Sequence, residues 1–381
     1  MKLLFSAALA ALVFTVSAEA AISTTTRSWQ FNDDSAGGLR IDNLVGDVVI
    51  ERGTAAGFGV SVTVIAEAGS AAEADTIARA VEFRARDAGS SSSFQVAFPE
   101  EQFPALYVAG APTGWWVGSA RTEYLGQKRR ITADKDEGVQ VRVDIVVRAP
   151  ADAKLDVHSY FGAAAADGFS GELKLDSASG RLSARSGSGR AELDSGSGAV
   201  EVSNYAGVVR VDTGSGAVTV SGCQCKVDAD AGSGTIRIHG GEGELQADTG
   251  SGAVTVEDFR GSLSADTGSG SVTARALSLA EHLDIDTGSG SVHVEGDLSS
   301  LKRLDIDTGS GRVSIGASAW PPMEILINTG SGSTNFDVPG AEVVRDADGS
   351  TLLRLGAGDG RGKIKTGSGG VRMYSTPVIA N

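Results

Sequence analysis

Short segments in which apolar and polar residues alternate dominate the chain from residue 176 onward, and glycine-rich turns separate them. In the stretch 212–229, residues 217–220 (AVTV) and 226–229 (KVDA) both alternate with a period of two. Alternation of this period between turn residues is typical of β-strands. Each such stretch therefore predicts two short strands that are joined by two tight turns.

An aspartate that precedes a turn returns every 18 residues, and in most copies a Gly-Ser-Gly triplet follows it. The regular copies carry Asp176, Asp194, Asp212, Asp230, Asp248 and Asp266. The spacing then loosens to 20 and 21 residues, at Asp286 and Asp307. A repeat of this length is the signature of a stacked fold, in which each copy contacts only its neighbours.

The apolar positions of successive copies coincide when the copies are aligned at this spacing. One column of the alignment contains Val200, Val218, Ile236, Val254 and Val272, and a second contains Val209, Val227, Leu245 and Leu263. A single copy cannot bury these side chains, whereas a stack of copies can. The predicted fold is all-β, a parallel two-sheet β-solenoid with coils of about 18 residues and a thin aliphatic interior.

The turns predict two further features. Gly-Ser-Gly fits a corner because glycine adopts positive φ without strain, and corner Ser and Thr hydroxyls can stack in rows. We expect the six regular aspartates to form a structural ladder, with each carboxylate accepting N–H bonds from its own turn. Calcium along the ladder is the disfavoured alternative, because the calcium-roll motif is absent and six to eight oxygen ligands are hard to gather.

Residues 70–84 are predicted to form a helix, with Ser70 as N-cap and Glu73 completing a capping box. Ile77, Val81 and Phe83 give this segment an apolar side. The end of a solenoid exposes unpaired strand edges, so we expect the helix to serve as a cap.

An aromatic insertion at 98–138 interrupts the strand pattern. Its packing over the solenoid as part of the cap is the simpler interpretation. The alternative is an exposed platform for a partner, a glycan or a membrane surface. The candidate partner-binding residues are Trp115, Trp116, Tyr107 and Tyr124.

Residues 1–20 are typical of a secretory signal, with a basic start, an apolar core and a small-x-small end; a membrane anchor is the alternative. We expect an exported protein of the periplasm, outer envelope or medium, with no later membrane span. The predicted organisation is a signal peptide (1–20), N-terminal strands with the capping helix and the insertion (21–150), and the repeat array (151–375).

The net charge and the distribution of reactive side chains restrict the classes of function that fit this chain. The net charge of −15 disfavours nucleic-acid binding, which needs clustered Lys and Arg. The histidines are scattered, no catalytic or metal-ligand cluster appears, and we predict neither enzyme activity nor a cofactor. The two cysteines, Cys223 and Cys225, either bond to each other or simply fill corner positions, and the second interpretation is favoured.

The mature chain resembles the bacterial putative-adhesin family of β-strand-repeat envelope proteins, whose function is largely unknown. The resemblance rests on residues 39–48 (LRIDNLVGDV), on the strand 143–150 and on Thr-Gly-Ser-Gly-x-Val units as late as 366–371. It implies a β-solenoid and carries no catalytic residues over. We therefore expect a non-catalytic adhesion, interaction or structural scaffold with an unidentified protein or glycan partner. The alternative is a glycan-binding or polysaccharide-active protein that uses the insertion.

Overall fold

A computed structural model describes residues 16–17, 20–31, 38–87, 91–109, 119–345 and 349–377. The chain divides into two compact units, Met1–Gly198 and Ala199–Asn381. Strands make up nearly all of the regular structure, and the described ranges contain one short helix. The all-β prediction is confirmed, while most of the predicted signal peptide lies outside the described residues.

The first unit contains strands β1 to β16 and helix α1. Their bounds are β1 (Val16–Ser17), β2 (Ala20–Phe31), β3 (Leu39–Val45), β4 (Val48–Arg52), β5 (Phe58–Ala68), α1 (Ala71–Ala80), β6 (Glu82–Asp87), β7 (Ser92–Ala97), β8 (Leu106–Tyr107), β9 (Ser119–Tyr124), β10 (Gln127–Thr132), β11 (Gln140–Ala149), β12 (Ala153–Phe161), β13 (Ala164–Asp167), β14 (Ser170–Ser177), β15 (Leu182–Arg185) and β16 (Ser188–Ser195).

Two rows of hydrogen-bonded strands run through this unit. One row has the order β2-β5-β11-β4-β13-β15, and the other has the order β6-β7-β3-β12-β14-β16. The later strands of both rows are parallel and pair with an offset of 18 residues, as between Leu173 and Ala191. Inward side chains at these positions are fully buried and form the aliphatic core.

The start of the unit differs from the expected parallel coil. β2 pairs with β5, and β5 with β11, in antiparallel fashion. On the other row, β6 is antiparallel to β7. Period-two alternation shows that a segment is a strand but not which way it runs, so the sequence could not give these directions.

Helix α1 begins after Ser70, whose side chain accepts a hydrogen bond from the Glu73 N–H at 3.3 Å. It packs on β2 and β5 through Ala74 and Ala78. The predicted end at residue 84 is wrong, because residues 82–87 form β6. There Phe83 packs against Trp29 at a centroid distance of 5.1 Å, a contact that a strand provides as readily as a helix.

The insertion contains a separate three-stranded sheet, in the order β8-β10-β9. β9 and β10 are an antiparallel hairpin, and β8 is parallel to β10. The rings of Phe98 and Phe103 are buried and meet edge to face at 5.5 Å. The insertion therefore has a small core of its own.

The second unit contains strands β17 to β31. Their bounds are β17 (Val200–Ser203), β18 (Ala206–Thr213), β19 (Val218–Ala231), β20 (Ile236–Thr249), β21 (Val254–Thr267), β22 (Val272–Thr287), β23 (Val292–Asp297), β24 (Arg303–Thr308), β25 (Val313–Ala319), β26 (Met323–Thr329), β27 (Thr334–Asp337), β28 (Glu342–Arg345), β29 (Thr351–Leu355), β30 (Gly360–Thr366) and β31 (Val371–Ser375).

Parallel pairing at the repeat spacing continues through this unit, for example between Val218 and Ile236 and between Val227 and Leu245. The strands β19 to β22 each run through a corner without interruption and take part in both rows of pairs. Two separate facing sheets are therefore not confirmed, although the stack of long strands is.

The order of strands at the end of the chain departs from the order in sequence. β30 pairs with β24 on one side and with β26 on the other, and β31 lies likewise between β25 and β27. The coil at 360–375 is thus inserted between two earlier coils. β28 and β29 pair with each other in antiparallel fashion, and β29 adds to β26 in the same way.

The Gly-Ser-Gly corners use glycine for a reason other than the predicted one. None of the glycines in the triplets that follow the repeating aspartates has positive φ within the described ranges; such glycines occur instead at the opposite corner, as at Gly222 and Gly261. At Gly252 a Cβ would overlap the carbonyl oxygen of Gly234 in the preceding coil, and Gly270 is blocked by Gly252 in the same way. Close stacking of backbone, not φ, excludes side chains here.

At most corners a Ser or Thr follows the aspartate, and its hydroxyl forms the hydrogen bonds that were expected of the carboxylate. Thr267 Oγ1 accepts the Gly270 N–H at 2.9 Å and donates to the Gly252 carbonyl of the preceding coil at 3.1 Å. Thr249 does the same with Gly252 and Gly234. The predicted carboxylate capping is wrong at these corners, whereas the predicted hydroxyl row is present.

Cys223 and Cys225 form a disulfide, with their Cα atoms 5.4 Å apart. Both side chains are buried at the corner where β19 passes from one row to the other. Their partners in β20 are Gly241 and Gly243, as the repeat alignment predicts. The favoured interpretation of two unbonded corner cysteines is therefore wrong.

Candidate functional site

The predicted aromatic platform is not assembled by the described residues. Tyr124 is 3% exposed, whereas Tyr107 is half-buried with the Lys135 ammonium 5.7 Å above its ring. The two tyrosines lie at opposite ends of the three-stranded sheet, since Tyr107 pairs with Thr132 and Tyr124 with Gln127. Trp115 and Trp116 lie outside the described residues.

Tyr124 instead joins the insertion to the first unit's strands. Its hydroxyl contacts the carbonyl oxygens of Asp42 on β3 at 2.9 Å and of Val96 on β7 at 2.5 Å. Its ring meets Tyr160 edge to face at 5.2 Å. Burial and the nearby Asp42 carboxylate raise the pKa of Tyr124 well above its usual value. This residue acts as an anchor of the insertion, not as an exposed binding surface.

Next to this anchor, charged side chains gather on the outer face of β3, β12 and β14. Nε2 of His158 lies 3.0 Å from Asp156, and Nδ1 lies 3.8 Å from Asp176. The Arg40 guanidinium contacts Asp42 at 3.1 Å and Asp156 at 3.4 Å. The 4%-exposed Asp42 side chain is nearly enclosed by these groups and by Gln95, which donates to it at 3.0 Å.

The ionisation of this charged cluster follows from its contacts. Hydrogen bonds to Asp156 and Asp176 raise the pKa of His158 to about 9. Burial would raise the pKa of Asp156, but the hydrogen bond from His158 and the charge of Arg40 outweigh it and lower that pKa. His158 is therefore an imidazolium at neutral pH, which cannot accept a proton as a general base would.

The remaining histidines make no comparable cluster. His239 is exposed beside Asp258 at 3.6 Å, and His293 lies 3.5 Å from Glu295. Across the described part of the chain, no three His, Cys, Asp or Glu side chains are arranged to hold a metal ion.

The aspartates of the second unit stand in one row on its outer surface. Strand register places Asp212, Asp230, Asp248, Asp266, Asp286 and Asp307 beside one another in that order. In the first unit, Asp176 and Asp194 are paired in the same way. Desolvation and then the charge of neighbouring carboxylates raise the pKa values of Asp230, Asp266 and Asp286.

The end of this row carries the opposite charge. The next position after Asp307 is Lys365, with its ammonium 3.6 Å from the carboxylate, because β30 is inserted there. Three aspartates of the row have a second aspartate two residues earlier in the same strand. These additional residues are Asp228, Asp284 and Asp305. The row is thus an exposed, strongly anionic edge that ends at a lysine.

Sequence reasoning missed the charged cluster around His158. One signal could have found part of it, since His158 and Asp176 are 18 residues apart and so occupy adjacent coils. The contribution of Asp42 was hidden, because β3 joins β12 with no repeat spacing to indicate it. No helix within the described ranges is long and apolar enough to span a membrane.

Comparison with known proteins gives a family for the repeat region. Residues 140–319 match the family model described as Toastrack DUF4097. No curated protein matches the chain. The chain is also similar to a crystal structure described as a putative cell adhesion protein from Clostridium sporogenes, with 7% identity and a TM-score of 0.16, covering 93% of this chain and 100% of that chain.

A second similar crystal structure is described as a putative adhesin from Parabacteroides merdae, with 9% identity and a TM-score of 0.23. It covers 77% of this chain and 95% of that chain. Residues 140–319 thus match the Toastrack DUF4097 family model, and this match agrees with the resemblance predicted from the sequence.

Proposed function

We propose that this chain is an exported, non-catalytic interaction protein of the cell envelope, and that its aspartate row is the surface that meets a cationic partner. The observation that carries the proposal is the row itself, where like charges repeat at each coil from Asp212 to Asp307. Stacked strands repeat about every 4.8 Å, so many weak contacts can add along one partner.

The energetic character of the row supports a binding role. Desolvation and then repulsion between neighbouring carboxylates raise the pKa values of Asp230 and Asp286, so the row carries an electrostatic cost in the folded chain. The corner hydroxyls already hold the turns, so the carboxylates are not needed for that purpose. A cationic partner would relieve the repulsion, which gives the row a favourable electrostatic contribution to binding.

The lack of catalysis is supported by the charged cluster in the first unit. His158 is the best-placed candidate base on the described surface, yet its two carboxylate partners hold it protonated. The Toastrack match at 140–319 agrees with an adhesive or interaction role, and the apolar segment at 3–16 supports export.

The test is retention of protein-coated beads on chitosan, an amino-sugar polymer that is cationic at pH 6, and on neutral dextran. We expect retention on chitosan that falls with salt, and loss of retention in a variant with Asp230→Asn, Asp248→Asn, Asp266→Asn and Asp286→Asn. A matched variant with Asp136→Asn, Asp167→Asn, Glu242→Gln and Asp359→Asn removes the same charge elsewhere. Equal retention of both variants would contradict the proposal.

Glycan binding through the insertion is the second candidate. Burial of Phe98, Phe103 and Tyr124 leaves Tyr107 as the partly exposed aromatic residue among the four, and Trp115 and Trp116 would have to supply the remainder. A glycan array with the wild-type chain and a Trp115→Ala/Trp116→Ala variant tests it. Binding that the variant loses would support this function, and no binding by either protein would exclude it for the arrayed glycans.

A further inference from the structure

A cavity of about 380 Å³ opens in the first unit between β6, the segment 97–101 and the hairpin of β9 and β10. Its buried lining includes Phe98, Tyr124 and Arg129, while Glu100 and Glu101 on its rim are exposed. A volume of this size suits a small molecule. The cavity is therefore large enough for an amino acid or a dipeptide.

Arg129 is an unusual residue for such a lining, since it is only 3% exposed. Its Nη2 donates to the Phe103 carbonyl at 2.6 Å, but its buried Nε has no acceptor among the described residues. No carboxylate within the described ranges lies within 4.0 Å of this guanidinium. Burial lowers the pKa of Arg129, and the charge of Glu100 only partly opposes that effect.

A buried guanidinium without an anionic partner is costly, because its charge has lost water and gained no ion pair. Arginine prefers a carboxylate, which can accept two parallel N–H bonds from its planar fork. A carboxylate on a ligand in the cavity would give this guanidinium the anionic partner that it lacks. Beside the cavity, Arg84 adds a second guanidinium at the rim.

The rim restricts which carboxylate ligand fits. Glu82, Glu100 and Glu101 all line the cavity, and Glu82 is at 4.0 Å from Arg84. These carboxylates oppose a multiply charged anion such as phosphate, since like charges repel. They favour a ligand that also carries an ammonium group, for which Glu100 and Glu101 are exposed acceptors.

We propose that this cavity binds a small zwitterion of amino-acid to dipeptide size, with its carboxylate on Arg129 and its ammonium group between Glu100 and Glu101. The cavity lies in the first unit and uses no residue of the aspartate row, so it is a site additional to the proposed interaction surface. The guanidinium supplies orientation and the rim carboxylates supply selectivity for zwitterions.

The test is isothermal titration calorimetry on the full chain with L-alanyl-L-alanine, its C-terminal amide, its N-acetyl derivative and inorganic phosphate. We expect binding of the free dipeptide, at least tenfold weaker binding of the amide and of the N-acetyl derivative, and no binding of phosphate. No heat with the dipeptide, or equal affinity for the amide, would overturn the proposal.

Two variants test which residues contact the carboxylate end and the ammonium end of the ligand. Arg129→Lys keeps a buried charge but loses the planar fork, and we expect the dipeptide to bind at least tenfold more weakly. Because this change can disturb folding, the exposed pair Glu100→Gln/Glu101→Gln is the second variant, expected to erase the preference for the dipeptide over its N-acetyl form. A control variant, Glu137→Gln, should bind as wild type; unchanged selectivity in the rim variant would contradict the assignment.

Discussion

Single hydroxyl groups stabilise the corners of the coils. Such a hydroxyl accepts a hydrogen bond from a backbone N–H of its own turn and donates one to a backbone carbonyl of the preceding coil, two groups that strand pairing does not satisfy. Thr308 accepts the Gly311 N–H at 2.9 Å and donates to the Gly290 carbonyl at 3.2 Å. Its side chain is buried, so an unmade bond here could not be replaced by water. The stability of the stack should therefore depend on these small side chains.

Replacing Thr267 with Val keeps the shape of the side chain and removes both hydrogen bonds. We expect the free energy of unfolding to fall by about 1–3 kcal/mol, because the Gly270 N–H and the Gly252 carbonyl lose their buried partner. Denaturant unfolding measures the change. The control is Thr219→Val, at an exposed position, which should change stability by less than about 0.5 kcal/mol.

Ala231 offers the reverse change, since it occupies the hydroxyl position of its coil. It is fully buried and lies between Thr213 and Thr249 in register. An Ala231→Ser variant should gain about 0.5–1.5 kcal/mol of stability by giving the Gly234 N–H a side-chain acceptor. A loss of stability in the same unfolding assay would show that the site has no room for the oxygen.

His158 predicts a pH dependence with a definite sign. Its pKa is about 9 in the folded chain and near 6.5 when unfolded, so its interactions stabilise fully below pH 6.5 and are lost as the pH rises through 9. A His158→Gln variant should be less stable than wild type by about 1–2 kcal/mol at pH 6, allowing for solvent screening. The difference should vanish above about pH 10.

The comparison needs urea unfolding of both proteins at pH 6, 8 and 10. Thr219→Val is the control, because it lies at an exposed position and removes no ionisable group. A gap between wild type and the His158 variant that stays constant across the series would contradict the assignment of the charge to this ring.

At the scale of elements, alternation and turn residues predicted most of the strands. They did not by themselves predict which strands pair with each other. Register followed from the 18-residue repeat wherever the repeat is regular, as in β19 to β21. It failed where the chain leaves that spacing, as in β2 and β5, because antiparallel pairing leaves no periodic signal. The cavity around Arg129 was equally invisible, since only folding brings β6 beside β10.

Deletion of residues 360–381 tests the observed strand order. It removes an inner coil, so β24 and β26 each lose a partner and the fully buried Ile364 and nearly buried Val371 leave the core. We expect the free energy of unfolding to fall by more than about 4 kcal/mol. Lys363→Gln, an exposed change in β30, is the control and should have little effect; a deletion variant that melts like this control would show that 360–375 is peripheral.

At the scale of the whole molecule, the net charge of −15 is concentrated in part along the aspartate row. Asp230→Asn, Asp266→Asn and Asp286→Asn should each raise stability at pH 7 by a few tenths of a kcal/mol, since each removes repulsion between exposed carboxylates. The gain should shrink in about 1 M salt, where the screening length is near 3 Å.

The same gain in stability should shrink as the pH falls. The raised pKa values of these aspartates mean that they are protonated at a higher pH in the folded chain than in the unfolded chain, and a protonated side chain no longer repels its neighbours. Melting temperatures at pH 7 and pH 4, with and without salt, measure both effects. Asp359→Asn, an exposed residue away from the row, is the control. Destabilisation by the row variants would mean that the carboxylates hold the turns after all.

The insertion of the coil at 360–375 between earlier coils bears on how the protein is made. A chain that leaves the ribosome or an export channel emerges from its N-terminus. Strands β26 to β29 therefore emerge before β30, a strand with which β26 pairs. The second unit can therefore not be completed rung by rung during synthesis. Its final packing must wait until β30 and β31 enter between the earlier coils, so folding of this unit cannot simply follow the order of synthesis.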